Sequence, residues 1–445
     1  MKYIPAFLFS FTLLFATAQT RHVVLISIDG FRPEMYRDSS WPAPNLRYLI
    51  RHGVYADQMR SVFPSLTYPS HTAMVTGALP ARSGVYFNQP KTGNGEWNWF
   101  TSSIRVPTLW RAIRAAGMTT AAVQWPLCAM DTITYTVPEI FYPRHPDDRI
   151  TLTRQYSTPG LLEEIEKNCT GRLDTASMTE EYFDIDDNSA RMAGYIFETR
   201  KPAFLAIHFP SVDGQEHVYG RDDDSVRLAL AASDHDIGIL LQAIRRSGAK
   251  DSTVVIVVGD HGMSDIHEAF RPNLLIQGIG AKFIAAGGSA FLYPTPLVDH
   301  WPPDDSLRID PGRRKQQEDI AGKVIAALDK LPTDKRKLFR IVSRSELDGM
   351  GADSSAILAL AAMPGLVFSG AVKPELFYPV HGGHHGYDPN LTVMFTGFIA
   401  AGPGIRTGAR IDDLCVTDIA PLVAALLGIP FQTPDGRLVP GIIVQ

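Results

Sequence analysis

The chain has 445 residues, 45% hydrophobic and 20% charged, a globular composition with enough apolar sequence for a sizeable core. Its 42 basic and 47 acidic residues leave a net charge of −5, so there is no basic surplus to follow a nucleic-acid backbone. The three cysteines, Cys128, Cys169 and Cys415, permit at most one disulfide and lack the spacing of a cysteine metal site.

Residues 1–18 have the form of a secretory signal peptide. Lys2 supplies the positive start, Ile4 to Phe15 the apolar stretch, and Ala16-Thr17-Ala18 the cleavage site. The apolar run is too short for a comfortable membrane span, and no cysteine follows it for a lipid anchor. The mature chain is expected to start near Gln19, with no later membrane-spanning segment, and to reside in the periplasm or outside the cell. Asn168-Cys-Thr170 and Asn390-Leu-Thr392 are glycosylation sequons, relevant only in a host that glycosylates.

His22 to Ile28 is an apolar run of strand length ending in Asp29-Gly30, and Pro44 to His52 is expected to be helical. The segment Phe63-Pro-Ser-Leu-Thr67-Tyr68-Pro69-Ser-His71 leads into Thr-Ala-Met-Val-Thr-Gly77. Pro69 suits the first turn of a helix that Gly77 can end. Thr67 at that start has two readings, a helix cap or a hydroxyl placed where a helix N-terminus attracts an anion. Val106 to Ala116 is an amphipathic helix stopped by Gly117. Thr119 to Gln124 is a strand closed by Trp125-Pro126.

Leu161 to Lys167 and Ala190 to Thr199 are expected helices, Ala203 to Phe209 a strand, Asp224 to Arg246 a long helix and Thr253 to Val258 an uninterrupted apolar strand. Such strands alternating with amphipathic helices imply an α/β fold, a mostly parallel central sheet with helices on both faces. Residues 275–378 differ. Short strands at Lys282 to Tyr293, Phe339 to Val342 and Ala356 to Phe368, with a helix at Gln316 to Leu328, predict a smaller α+β insertion. The catalytic core is then 19–274 and 379–445, with a last strand near 393–400 and a last helix from Val416 to Leu427.

In open parallel sheets ligands bind beyond the carboxyl ends of the strands. Asp29, Asp213 and Asp260 each follow a strand-like run and can reach that edge. Asp213 and His217 are four apart, so they share a face if the segment is helical. His261 follows Asp260, and Gly383-His384-His385-Gly386-Tyr387 adds imidazoles in a glycine-rich loop. One Asp–His pair is usually a structural hydrogen bond. Several at one sheet edge point to metal, and mixed carboxylate and imidazole donors suit zinc.

Phe63-Pro64, Thr67-Tyr68-Pro69, His71 and Thr76-Gly77 resemble the nucleophile motif of the nucleotide pyrophosphatase/phosphodiesterase family, part of the alkaline phosphatase superfamily. Ser27-Ile-Asp29-Gly30, Asp213-x-x-x-His217, Gly259-Asp260-His261-Gly262-Met263 and His385-Gly386-Tyr387 extend the resemblance, in order, over most of the mature chain. It implies an alkaline phosphatase-like fold and two Zn2+ ions. Asp213, His217 and His385 would hold one ion. Asp29, Asp260 and His261 would hold the other, with Thr67 as a further ligand and as the nucleophile. Asn88 matches the family asparagine that contacts a phosphoryl oxygen, and Tyr68 the aromatic that stacks on a nucleobase.

Ser70 and Pro389 depart from the residues frequent at those places, which leaves the subfamily open. His71 is expected to brace the helix start, His208 to pack in its strand, and His384 to stand outside the ligand set. The resulting expectation is an exported zinc phosphodiesterase acting on a small nucleotide diester or pyrophosphate. Choline-phosphodiester lipids, phosphonates and phosphomonoesters are alternatives on the same site. A catalytically dead scaffold would have lost a ligand or the nucleophile, and this chain keeps them all.

Overall fold

Eight strands form the central sheet, in the order Ala409–Ile411, Gly53–Ala56, Phe398–Ala401, Thr253–Val258, His22–Ile28, Phe204–Phe209, Thr120–Val123 and Tyr135–Val137. The computed structural model describes residues 20–92, 95–179, 183–297, 311–371 and 374–444. The expected signal peptide therefore lies outside the described residues. Every neighbouring pair in the sheet is parallel except those made by Phe398–Ala401.

The apolar strands are continuous because each strand feeds two cores. Along His22–Ile28, Val24, Ile26 and Ile28 enter one cluster, while Val23 and Leu25 enter the other. The first cluster is covered by Pro44–Arg51, Asp184–Arg200 and Asp224–Arg246, the second by Thr67–Thr76, Leu109–Ala115 and Ile419–Leu427. Asp223 caps the long helix by accepting from Ser225 N–H at 2.9 Å. Among the described residues, no helix is long and apolar enough to cross a membrane. All three cysteines are free thiols.

A second, antiparallel sheet runs Phe339–Val342, Leu358–Ala362, Ser289–Pro294, Ala281–Ala286. Ile320, Val324 and Leu328 of the helix Pro311–Leu328 join its core. A third sheet is built on Ser264–Phe270, flanked by Gly365–Phe368 and Phe377–Pro379, with Gly383–His384 also paired to it. The strand Ser264–Phe270 is not evident as an apolar run, because exposed Asp265 and His267 alternate with buried Ser264 and Ile266. The short strands Gly53–Ala56, Tyr135–Val137 and Ala409–Ile411 are also unforeseen. Each has only three or four residues and takes its place from a longer neighbour.

The register aligns Ile28 with Phe209 and Ser27 with Val258, so three central strands end level. Asp29, the helix Ser211–Tyr219 and Asp260 emerge together at that edge.

Candidate active site

The helix Thr67–Thr76 is buried at every position and therefore has no apolar stripe. It tolerates its polar residues because they bond back to backbone carbonyls four residues earlier. Thr72 Oγ1 donates to Tyr68 O at 2.8 Å, Thr76 Oγ1 to Thr72 O at 2.7 Å, and His71 Nδ1 to Thr67 O at 2.8 Å. Gly77 ends it at φ 63°, a left-handed cap. The N-cap is Leu66, not Thr67, and no side chain caps the helix. The Thr67 hydroxyl is thus not spent on capping.

That hydroxyl lies 3.4 Å from His261 Nε2. The same nitrogen is 3.2 Å from Asp29 Oδ1 and 3.2 Å from Asp260 Oδ2, so four groups converge on one point. A second group lies beside it. Asp213 Oδ2 is 3.2 Å from His217 Nε2, and Asp213 Oδ1 is 3.9 Å from His385 Nε2. The His261 and His385 rings stack 3.7 Å apart. The carboxylate of Asp213 falls into both groups, with His217 and His385 on one side and with Asp29 and His261 on the other. The sequence placed it in only the first.

All three histidines are held in one tautomer. Nδ1 of His217 meets Gly383 O at 2.9 Å, that of His261 meets Gly262 O at 3.1 Å, and that of His385 meets Ser65 O at 2.9 Å. A carbonyl only accepts, so each Nδ1 carries a proton and each Nε2 is the nitrogen left to face a cation.

Electrostatics points the same way. Burial, then Asp260 and Asp213, push the Asp29 carboxyl well above the usual range, and burial also raises Asp260. Burial opposes ionisation of Asp213, but His217, itself raised to about 9 by Asp213 against the effect of burial, holds it well below its ordinary value with a positive charge that a bound cation would replace. Asp29 Oδ1, Asp213 Oδ1 and Asp260 Oδ2 are buried without a hydrogen-bond donor. Unpaired buried carboxylate oxygens facing imidazole lone pairs fit bound cations and fit little else.

Three flanking contacts hold these groups in place. His208, expected as a packed strand residue, directs Nε2 to Asp29 Oδ2 at 3.1 Å, and its ring meets His71 at 4.5 Å. Burial lowers His208 to about 3, so its ring carries no charge beside Asp29. Glu216, between Asp213 and His217 on their helix, pairs with Arg32 Nε at 2.9 Å, both side chains fully buried. That pair joins the loop after Asp29 to the helix carrying Asp213. Sequence reasoning passed over both residues, although Glu216 sits within the Asp213–His217 spacing. His384 lines the cleft, and its Nδ1 accepts from His385 N–H at 3.0 Å.

Asn88 stands at the helix start. Its Oδ1 accepts from Tyr68 N–H at 3.0 Å, which leaves Nδ2 as the free end of the amide. The stacking role expected of Tyr68 does not hold. The ring is fully buried, 5.2 Å from Trp97, with its hydroxyl on Glu139 Oε2 at 3.1 Å. A partner for the hydroxyl and an aromatic cluster around the ring draw it inward. Trp97 lines the ligand space, together with Phe87, Phe283 and Phe368.

That space is a cleft of about 620 Å³. His217, His385, Asn88 and Leu66 lie on one side, and Lys282 to Gly287 of the antiparallel sheet on the other. Lys91 also lines it, but its ammonium is tied to Asp353 Oδ2 and Ser355 Oγ, each at 2.9 Å. This buried pair links the Asn88 loop to the outer sheet. Lys282 is the exposed cation of the cleft among its described lining residues, which include no carboxylate.

An activatable hydroxyl and two carboxylate–imidazole groups at the carboxyl ends of a parallel sheet mark a hydrolase of phosphoric esters or anhydrides. The chain belongs to the type I phosphodiesterase/nucleotide pyrophosphatase family, whose model matches residues 23–388. It is 23% identical over 456 residues to ectonucleotide pyrophosphatase/phosphodiesterase family member 7 of Rattus norvegicus, covering 96% of this chain and 87% of that one. Against bis(5'-adenosyl)-triphosphatase enpp4 of Xenopus laevis it is 21% identical over 431 residues, covering 95% and 81%. The solved structure of murine ectonucleotide pyrophosphatase/phosphodiesterase 5, an inactive form in complex with AMP, aligns with a TM-score of 0.67 at 18% identity. It covers 94% of this chain and 97% of that one, a likeness that shows the fold alone.

Proposed function

We infer that the protein is an exported, two-zinc phosphodiesterase that cleaves nucleotide diesters or pyrophosphates through a phosphothreonine on Thr67. The observation that carries this reading is the approach of Thr67 Oγ1, Asp29 Oδ1 and Asp260 Oδ2 to His261 Nε2, within 3.4 Å, at the start of a helix.

Asp213, His217 and His385 would hold one ion, and Asp29, Asp260 and His261 the other, with Thr67 beside it and Asp213 within reach of both. When bound, zinc supplies Lewis acidity that lowers the pKa of a hydroxyl and offsets charge on phosphoryl oxygens. Thr67 Oγ1 attacks phosphorus in line, its O–P bond forming as the bond to the leaving oxygen breaks. The Thr67 proton passes to solvent water, and the leaving alkoxide or nucleotide phosphate takes one up from water. Water then cleaves the phosphothreonine and restores the hydroxyl. Asn88 Nδ2 and the Thr67 N–H donate to the phosphoryl oxygens as charge grows there. Asn88 is fixed for this by its bond to Tyr68 N–H.

Nucleotides are favoured over choline esters by the cleft. Lys282 faces it with an exposed cation, which attracts further phosphate charge and repels a quaternary ammonium. The relatives named as nucleotide hydrolases and the AMP complex of the murine protein support the same choice. "Ectonucleotide" relatives and the leader-like residues 1–18 support export.

One purified preparation tests the reading. Thymidine 5′-p-nitrophenyl phosphate is expected to give a higher kcat/KM than p-nitrophenyl phosphorylcholine or p-nitrophenyl phosphate, with close to two zinc ions bound per chain. Preference for the choline ester, or full activity without metal, would overturn it. Asn88→Ala is expected to lower kcat by about 10²–10³-fold with zinc content unchanged. An unaltered kcat would remove Asn88 from the reaction.

A further inference from the structure

The antiparallel sheet turns its edge strand, Ala281–Ala286, toward the cleft. The hydrogen bonding of that edge can be followed residue by residue. Ala286 and Ser289 close a two-residue turn over Gly287-Gly288, so they form a hydrogen-bonded pair, and bonded and unbonded pairs alternate from there. The other side of the ladder agrees. Leu292 accepts from Ile357 N–H at 2.8 Å, which turns its backbone toward Leu358–Ala362 and away from its partner Phe283. Ala290, two residues on, turns away from Ala285 in the same manner. Phe283 and Ala285 therefore direct their N–H and C=O groups out of the sheet.

The positions flanking Ala285 are closed. Asn273 Nδ2 donates to Phe283 O at 2.9 Å, and Phe283 N–H donates to Asn273 Oδ1 at 2.7 Å. On the far side, Gly287 O accepts from Phe368 N–H at 2.8 Å. Between them Ala285 is half-buried in the cleft wall, and its outward N–H and C=O meet no partner among the described residues. A paired backbone donor and acceptor left open beside a ligand space calls for a ligand or water.

We propose that the Ala285 backbone N–H and C=O are a subsite for the hydrogen-bonding edge of a nucleobase. The proposal rests on the nucleotide reading above and adds the group that holds the base. With Asn273 and Phe368 filling the neighbouring positions, the opening is one residue long, too short to seat an added strand. A flat ring bearing a donor beside an acceptor fits it. All the nucleobases carry such a pair, so the subsite separates esters with a base from esters without one more than it separates bases. Trp97 lines the same cleft and supplies an aromatic surface. Gly288 N–H donates to His385 O at 2.9 Å, so the strand starts against a ligand of the phosphoryl site. Ala285 lies three residues from Gly288, across the turn, so the chain places it within about 10 Å of that contact. A ribose can bridge such a span between phosphate and base.

The test alters first the ligand and then the protein. Methylating N3 of thymidine 5′-p-nitrophenyl phosphate removes the base's donor. Its KM for the unaltered enzyme is expected to rise about tenfold, with kcat little changed. Ala285→Pro removes the N–H at an outward edge position, where proline is best tolerated. It is expected to raise KM for the thymidine ester by a similar factor. Bis(p-nitrophenyl) phosphate, which has no base, should be turned over as before, and Ala285→Gly, which keeps the N–H, should act like the parent. Equal KM for the thymidine and N3-methylthymidine esters would overturn the subsite while leaving the nucleotide reading intact. No hydrolysis of the thymidine ester alongside hydrolysis of bis(p-nitrophenyl) phosphate would overturn both. If Ala285→Pro fails to fold, the methylated ester alone decides.

Discussion

Thr67→Ala is expected to lower turnover of a nucleotide ester by at least about 10⁴-fold, while the protein keeps its melting temperature within a few degrees and most of its zinc. The asymmetry follows from where the hydroxyl sits. It caps nothing, since the N-cap is Leu66, and its near polar neighbour is His261 Nε2 at 3.4 Å. The helix start itself is held by the Ser70 N–H to Leu66 carbonyl bond at 3.1 Å and by His71 Nδ1 on the Thr67 carbonyl, neither of which uses the side chain. Asp29, Asp260 and His261 remain to bind metal. Stopped-flow rates, zinc analysis and a thermal melt on one preparation check all three parts. Substantial turnover by the alanine variant would remove Thr67 as the nucleophile.

Asp213→Asn is expected to cost more metal than any other single change at the site. Its two oxygens face different partners, His217 on one side and His385 on the other, and the residue also groups with Asp29 and His261. Replacing the carboxylate with an amide removes a charge shared by both ion positions. Bound zinc should fall from near two per chain to below one, with kcat/KM lowered by about 10³-fold or more at limiting metal. His217→Asn touches one group only and should retain close to one ion. Titration of each apo-variant with zinc distinguishes them. Equal stoichiometry in the two variants would show that Asp213 serves a single ion.

The central sheet was legible because its strands lie between two cores. Every residue of Thr253–Val258 is buried, and such a run is visible without knowledge of its neighbours. The carboxylates and imidazoles that gather at the sheet edge were legible for a related reason. Asp29, Asp213 and Asp260 follow strand ends, and their spacing to His217 and His261 is local. What was not legible depends on contacts far apart in the chain. Tyr68 follows Thr67, and only the folded arrangement of Trp97 and Glu139 shows that its ring turns inward. Arg32 and Glu216 pair across more than 180 residues, and nothing in either local sequence marks the partnership. The open backbone of Ala285 is invisible to any reading by side-chain type, since it arises from strand order and ladder parity.

The two glycines at the tip of that hairpin have a consequence for how such an enzyme changes over generations. A Cβ at Gly287 would lie 2.1 Å from the His385 carbonyl oxygen, and one at Gly288 would lie 2.1 Å from the Tyr387 ring. The cleft wall is therefore moored to His385 and Tyr387 at a place where a side chain would collide with backbone or ring. A side chain added at either glycine would push the hairpin and the His385 loop apart, whereas the strands behind the tip can vary without disturbing that contact.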